Sequence, residues 1–188
     1  EVLWAPTNAN GRFSNANVPL KQAFAMSINS VAVKLGQEVG IPQIVKTAHD
    51  MGIKSKLDPT PALALGSSDV TLLELVNAYC TPVNGGMAHE PVLVSRILDR
   101  DGNEIYNAKT EDKQTISQKS AFFVQQLLQG GMHGTSSALY RFISKYLNDT
   151  DFGGKTGTSN NHSDAWFVGT TPRLVVGAWV GGEYRCIH

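Results

Sequence analysis

Residues 153–182 read GGKTGTSNNHSDAWFVGTTPRLVVGAWVGG. The segments 152–158, 164–169 and 174–180 are short, rich in Val, Trp, Phe and Gly, and separated by turn residues, which predicts a terminal antiparallel meander. Upstream the apolar period changes to that of helices. Leu20, Phe24 and Ala25 follow a possible cap at Asn17, and Val31, Leu35 and Val39 repeat every four residues before Gly40. Pro42 suits the first turn of a further helix that carries Ile44, Val45, Ala48 and Met51 and stops at Gly52. Residues 54–68 read as loop. Ser68 or Asp69 is then placed to cap an amphipathic segment, 70–83, which ends at Asn84-Gly85-Gly86. Asp101-Gly102 between 92–98 and 103–108 predicts a hairpin, and 117–129 and 136–147 read as helices. Helices in the body and a meander at the end make an α+β fold. The expected division is one domain over 1–188, mostly helical to 151, with antiparallel strands over 152–182.

Composition narrows the function classes. Sixteen Lys+Arg balance sixteen Asp+Glu, so no basic field is available to neutralise phosphates, and nucleic acid is not an expected partner. Cys80 and Cys186 are too few for a disulfide framework or a four-ligand zinc site. The five histidines lack metal-ligand spacing, so no metal or cofactor is expected, and His49 is expected to serve packing or surface. No apolar run approaches the length of a membrane span. The chain opens on Glu1-Val2-Leu3-Trp4 rather than Met, which suggests a piece of something longer.

The chemistry concentrates at Lys155-Thr156-Gly157-Thr158. At average composition the tripeptide KTG arises by chance only ~0.04 times in a chain this long. A Lys ammonium and two hydroxyls on one sheet edge can bind a carboxylate and polarise a neighbouring proton carrier, and Gly157 lets a ligand approach the backbone. The plain alternative is an exposed edge strand protected by a Lys. Upstream, Ser27-Ile28-Asn29 offers a hydroxyl and an amide at a helix break, although such residues also serve ordinary turns. Two of the three elements SxxK, SDN and KTG that mark penicillin-interacting serine acyl enzymes are present in order, although Ile28 in place of Asp departs from SDN and fits only the looser SxN form.

With VLWAPTNANGRF, PLKQAFAMSINSVAVKLGQEVGI and LALGSSDVTLLELVNAYCTPVNGGMAHEPVLVSRILDRDGNEI in order before residues 153–182, the chain resembles the transpeptidase domain of penicillin-binding proteins. It looks most like the bifunctional class A type that also polymerises glycan. The resemblance implies a truncated penicillin-binding-protein/β-lactamase-like fold. It also implies serine acyl transfer from the D-Ala-D-Ala end of peptidoglycan stem peptides, acylation by β-lactam antibiotics, and cell-wall synthesis proteins as partners. Carried over by motif, Ser27 would relay a proton to the leaving group and Asn29 would bond the substrate amide. Lys155 would hold the electrostatics, Thr156 and Thr158 would bind the substrate carboxylate, and the Thr158 N–H would complete an oxyanion hole. Asp164, in the DAWF-like strand, would serve packing and sheet pairing. No Ser in the chain has a Lys three positions on, so the nucleophile is expected to lie before Glu1, and the chain alone is expected to be inactive. The implied location is extracytoplasmic, in the periplasm or on the outer face of the plasma membrane, with tethering through an N-terminal segment outside these residues. A non-catalytic peptide- or partner-binding module and a β-lactamase-like hydrolase are the alternatives. In the family the last strand pairs with one that precedes the nucleophile, so 174–180 is expected to lack one neighbour here.

Overall fold

The computed structural model describes residues 6–13, 15–147, 149–159 and 162–182. Helix α1 (Leu20–Ala25) enters from Pro19, whose restricted φ already suits a helix start; no side chain caps it, so the expected Asn17 cap is not used. After the break at residues 26–28 comes α2 (Asn29–Val39), which ends at Gly40 with φ 93°, a left-handed stop that favours glycine. Helix α3 (Ile41–Asp50) carries Pro42 in its first turn. His49 near its end donates from Nδ1 to the Ile53 carbonyl at 2.6 Å, a local packing role.

The loop over 54–68 contains a short 3-10 turn at Pro61–Leu65. Helix α4 (Leu72–Val83) is capped by Thr71 rather than by Ser68 or Asp69. The reason is local: Glu74 stands three residues after Thr71, and the two exchange side chain and backbone bonds in a capping box. The Glu74 carboxylate also accepts from the Ser55 hydroxyl and from the N–H groups of Lys54 and Ser55. The Ser55 hydroxyl is the largest influence, and the acid is held down to about 2.

Two short ribbons follow. Strand β1 (Met87–Ala88) pairs with β4 (Lys113–Gln114), while β2 (Arg96–Leu98) pairs with β3 (Glu104–Asn107) around the Asp101-Gly102 turn. The β2–β3 hairpin is shorter than expected, because residues 92–95 stay outside the ladder. Helix α5 (Gln118–Gly131), capped by the Ser117 side chain, runs two residues beyond the expected end. Helix α6 (Ser137–Ile143) gives way to a 3-10 turn at Ser144–Tyr146 and is shorter than expected.

The meander consists of β5 (Gly153–Thr158), β6 (Asp164–Thr170) and β7 (Val175–Gly181), all antiparallel in the order β5-β6-β7. Trp166 of β6 pairs with Gly157 on one side and Trp179 on the other. Among the described residues, β7 has no strand on its outer side. Helix α5 packs on α1, α4 and β5, and α4 lies against β7. Between these elements Ala121, Leu128 and Met132 of the α5 region and Val168 of β6 are buried. The accessible surface is 13069 Å², well above the about 8,800 Å² that scaling gives a compact monomer of this mass. Leu93, Ile105, Phe142, Tyr146 and Val180 are among the apolar side chains left exposed.

Candidate active site

Ser27 is where the two halves of the site meet. Its N–H donates to the Phe24 carbonyl, and the next N–H, of Ile28, reaches back to Ala23. These bonds close the end of α1 and put Ser27 at φ 53°, in the left-handed region. For a residue other than Gly, Asn or Asp that conformation is uncommon and costs roughly 1 kcal/mol or more. The chain spends that energy between α1 and α2, and the side chain is thereby turned toward β5.

On β5, Lys155 reaches across. Its Nζ donates to Ser27 Oγ at 2.9 Å and to the Thr156 carbonyl at 2.9 Å. The ammonium is half-buried, and desolvation pushes its pKa below the ordinary lysine value. The described residues place no carboxylate in an ion pair with it. Because Lys155 occupies a lone pair of Ser27 Oγ, the single O–H of Ser27 remains available to another acceptor.

Strand alternation sets Thr156 and Thr158 on the face opposite Lys155 and Gly157, so the site straddles the outer edge of β5. Thr158 is exposed and Thr156 half-buried. Thr156 Oγ1 lies 2.9 Å from Thr135 Oγ1, in the turn after α5. At Gly157 the Trp166 Cβ would lie 3.2 Å from an added Cβ, so the backbone runs close to the neighbouring strand. Ser27, Lys155 and Thr156 are therefore brought together, with Gly157 and Thr158 continuing the same edge.

Asn29 is held differently. Its Nδ2 donates to the Thr7 carbonyl at 2.8 Å, and Asn8 Oδ1 accepts from the Ser30 N–H at 3.0 Å. The carboxamide is thus anchored to residues 7–8 through its donor, which leaves Oδ1 as its accepting atom, and no direct bond joins it to Ser27 or Lys155 among the described residues. Asp164 does more than pair strands. Its carboxylate accepts from Ser159 Oγ at 2.8 Å and from the Trp179 indole N–H at 2.9 Å, tying the chain after Thr158 to β7. A Ser or Thr five residues before a strand-opening Asp is too common a pattern to have pointed to that knot.

A cavity of about 330 Å³ is lined by His133, Tyr140 and Phe152 among others and includes none of Ser27, Lys155 or Thr156. Cys80 is a free thiol whose pKa burial raises, and Cys186 and His188 lie outside the described residues. Among the described residues no group of three or more His, Cys, Asp or Glu could hold a metal, and no helix is long and apolar enough to cross a membrane.

The ordered motifs and this geometry coincide with a known family. The model of the penicillin binding protein transpeptidase domain matches residues 4–179. The chain belongs to this family. Penicillin-binding protein 2D of Bacillus subtilis is 37% identical over 182 residues, which cover 95% of this chain and 26% of that protein. Penicillin-binding protein 1B of Vibrio cholerae is 31% identical over 182 residues, covering 96% of this chain and 23% of that protein. The class A resemblance is therefore supported by relatives, while the chain spans about a quarter of the length of these relatives. The crystal structure of penicillin-binding protein 1A from Haemophilus influenzae matches with a TM-score of 0.83 at 24% identity, over 97% of this chain and 32% of that one. The transpeptidase fold, with its helical body and terminal meander, is common to both.

Proposed function

We propose that this chain supplies the proton-relay and carboxylate-binding part of a serine D-Ala-D-Ala transpeptidase, within a bifunctional class A penicillin-binding protein that builds peptidoglycan outside the cytoplasm. The observation that carries the reading is the 2.9 Å bond from Lys155 Nζ to Ser27 Oγ, between residues 128 positions apart in the chain. A half-buried cation on a hydroxyl at a sheet edge is an arrangement for moving a proton rather than for protecting an edge.

In the proposed reaction, a Ser of an SxxK segment outside these 188 residues attacks the carbonyl of the penultimate D-Ala. The oxyanion receives the N–H of Thr158 and the nucleophile's own N–H. As the C–N bond breaks, the O–H proton of Ser27 passes to the leaving nitrogen of the terminal D-Ala, Ser27 Oγ takes up in its place the proton given up by the attacking serine, and Lys155 stabilises the charge that develops on the relay during the transfer. An amine from another strand then attacks the acyl-enzyme, gives its proton back through the same relay, and releases the serine. Thr156 and Thr158 hold the terminal carboxylate, and Asn29 offers Oδ1 to a substrate N–H. A β-lactam enters the same sequence through its strained amide, and its leaving nitrogen stays attached to the acyl group. Other cell-wall synthesis proteins are the expected partners, with the protein tethered by a segment outside this chain.

A labelled penicillin provides the test. It should fail to attach covalently to these 188 residues and should acylate the full-length protein carrying SxxK. Covalent labelling of the short chain would overturn the assignment of the nucleophile. Failure to label the full-length protein would favour a non-catalytic module, and rapid turnover of its acyl-enzyme a β-lactamase-like hydrolase.

A further inference from the structure

We propose that Thr135 is a positioning residue for the substrate carboxylate: it fixes the proton of Thr156 so that the Thr156 O–H points into the cleft. This rests on the transpeptidase reading above. Thr135 and Thr156 hydroxyls lie 2.9 Å apart and come from different elements. A hydroxyl has one proton to give and two lone pairs to receive. With Thr135 as donor, one lone pair of Thr156 Oγ1 is occupied and its own proton is left for a carboxylate oxygen, which can only accept. The Thr156 carbonyl is already occupied by Lys155 Nζ. Both polar atoms that Thr156 could use wrongly are therefore held by other residues.

Thr135 can do this because its own place is fixed. Its N–H donates at 3.0 Å to the carbonyl of Ala25, the last residue of α1 and two before Ser27. At Gly134 an added Cβ would stand 1.9 Å from that same Ala25 oxygen, and at Gly131 one would stand 2.5 Å from the Gly154 carbonyl of β5. Met132 between them is fully buried. The turn 131–135 is thus wedged between the end of α1 and the outer edge of β5, and it touches both motif-bearing segments. A side chain rooted there reports the separation of Ser27 from the KTG strand to the Thr156 hydroxyl.

The test uses the full-length protein and two ligand pairs: a penicillin and its carboxyl ester, and a D-Ala-D-Ala peptide with a free or an amidated C-terminus. Thr135→Val, which keeps the shape and removes the hydroxyl, should lower acylation by the free penicillin about tenfold, through weaker binding rather than a slower acylation step. It should leave the slow reaction with the ester unchanged, so the preference for the carboxylate shrinks. Thr135→Ser should restore the preference to within twofold, and in a Thr156→Val background Thr135→Val should add nothing. Thr135→Ala serves the same comparison if the valine variant does not fold. A wild-type preference retained in the valine or alanine variant, or an equal loss in the serine variant, would overturn the inference. Absence of penicillin labelling in the wild-type protein would instead remove the transpeptidase reading on which it rests.

Discussion

The outer edge of β5 and the β2–β3 ribbon are both strand edges, and they are held in opposite ways. Every residue of β2 and β3 is exposed, and the ribbon's bonds are made with itself: Asp99 carries the turn by accepting from the N–H groups of Asp101 and Asn103 and from the Asn103 amide. The β5 edge is defined by partners distant in sequence, namely Ser27 and the turn 131–135, which is itself bonded to Ala25 at the end of α1. An edge fixed by its own turn can move as a unit without consequence elsewhere. One fixed by two other elements holds a geometry, which acyl transfer needs and a ribbon does not.

The sharpest break of this contrast would come from Lys155. In the full-length protein Lys155→Ala should reduce the rate of penicillin labelling by roughly 10²–10⁴, and labelling at the wild-type rate would place the β5 edge with the ribbon as mere surface. Next in size are two glycines. Gly134→Ala must push the Ala25 carbonyl away and should cost about 3 kcal/mol in urea unfolding. Gly102→Ala in the ribbon turn, at φ 86° with open space around it, should cost about 1 kcal/mol through backbone strain alone. Equal losses would mean that the wedge is no tighter than the turn.

The carboxylates sharpen the contrast further. Glu74 joins α4 to Lys54 and Ser55 some twenty residues away, whereas Asp99 joins only its own turn. Glu74 has its pKa lowered from 4.5 to about 2, so its contribution to stability is present above pH 4.5 and is lost as pH falls toward 2. A pH series of unfolding midpoints should show that slope, and Glu74→Gln should flatten it. The smallest expected effect is Ile105→Ser on the exposed ribbon face, within about 0.5 kcal/mol of wild type.

Legibility in the sequence follows the same division. The Asp101-Gly102 hairpin, the Gly40 stop, the Pro42 helix start and the three-strand meander are all written in residues adjacent to the structure they specify. The caps of α1 and α4 went elsewhere because capping is decided by the partner three residues on or by a proline, and several candidates stood nearby. The two-residue pair β1–β4 carries no periodicity at all. At the site, KTG and SxN located Lys155 and Ser27, and their bond was implied by resemblance rather than by spacing. The wedge formed by Gly131, Gly134 and Thr135 could not be read locally, since glycines needed for close approach look the same as glycines needed for a turn. The commitment of Asn29 to Thr7 was hidden for a similar reason: nothing in a loop rich in Asn says which carbonyl will face the helix start.

Ser27 sits in a left-handed backbone that only Gly, Asn and Asp adopt easily. Of the side chains that suit that backbone none carries a hydroxyl, and the one other aliphatic hydroxyl, that of threonine, brings a β-branch that the conformation disfavours. The position is consequently a substitution trap: every single replacement gives up either the backbone or the aliphatic hydroxyl. Under the proposed function, a variant that evades a β-lactam has little room to change Ser27 itself, and its changes are expected among the residues that surround it.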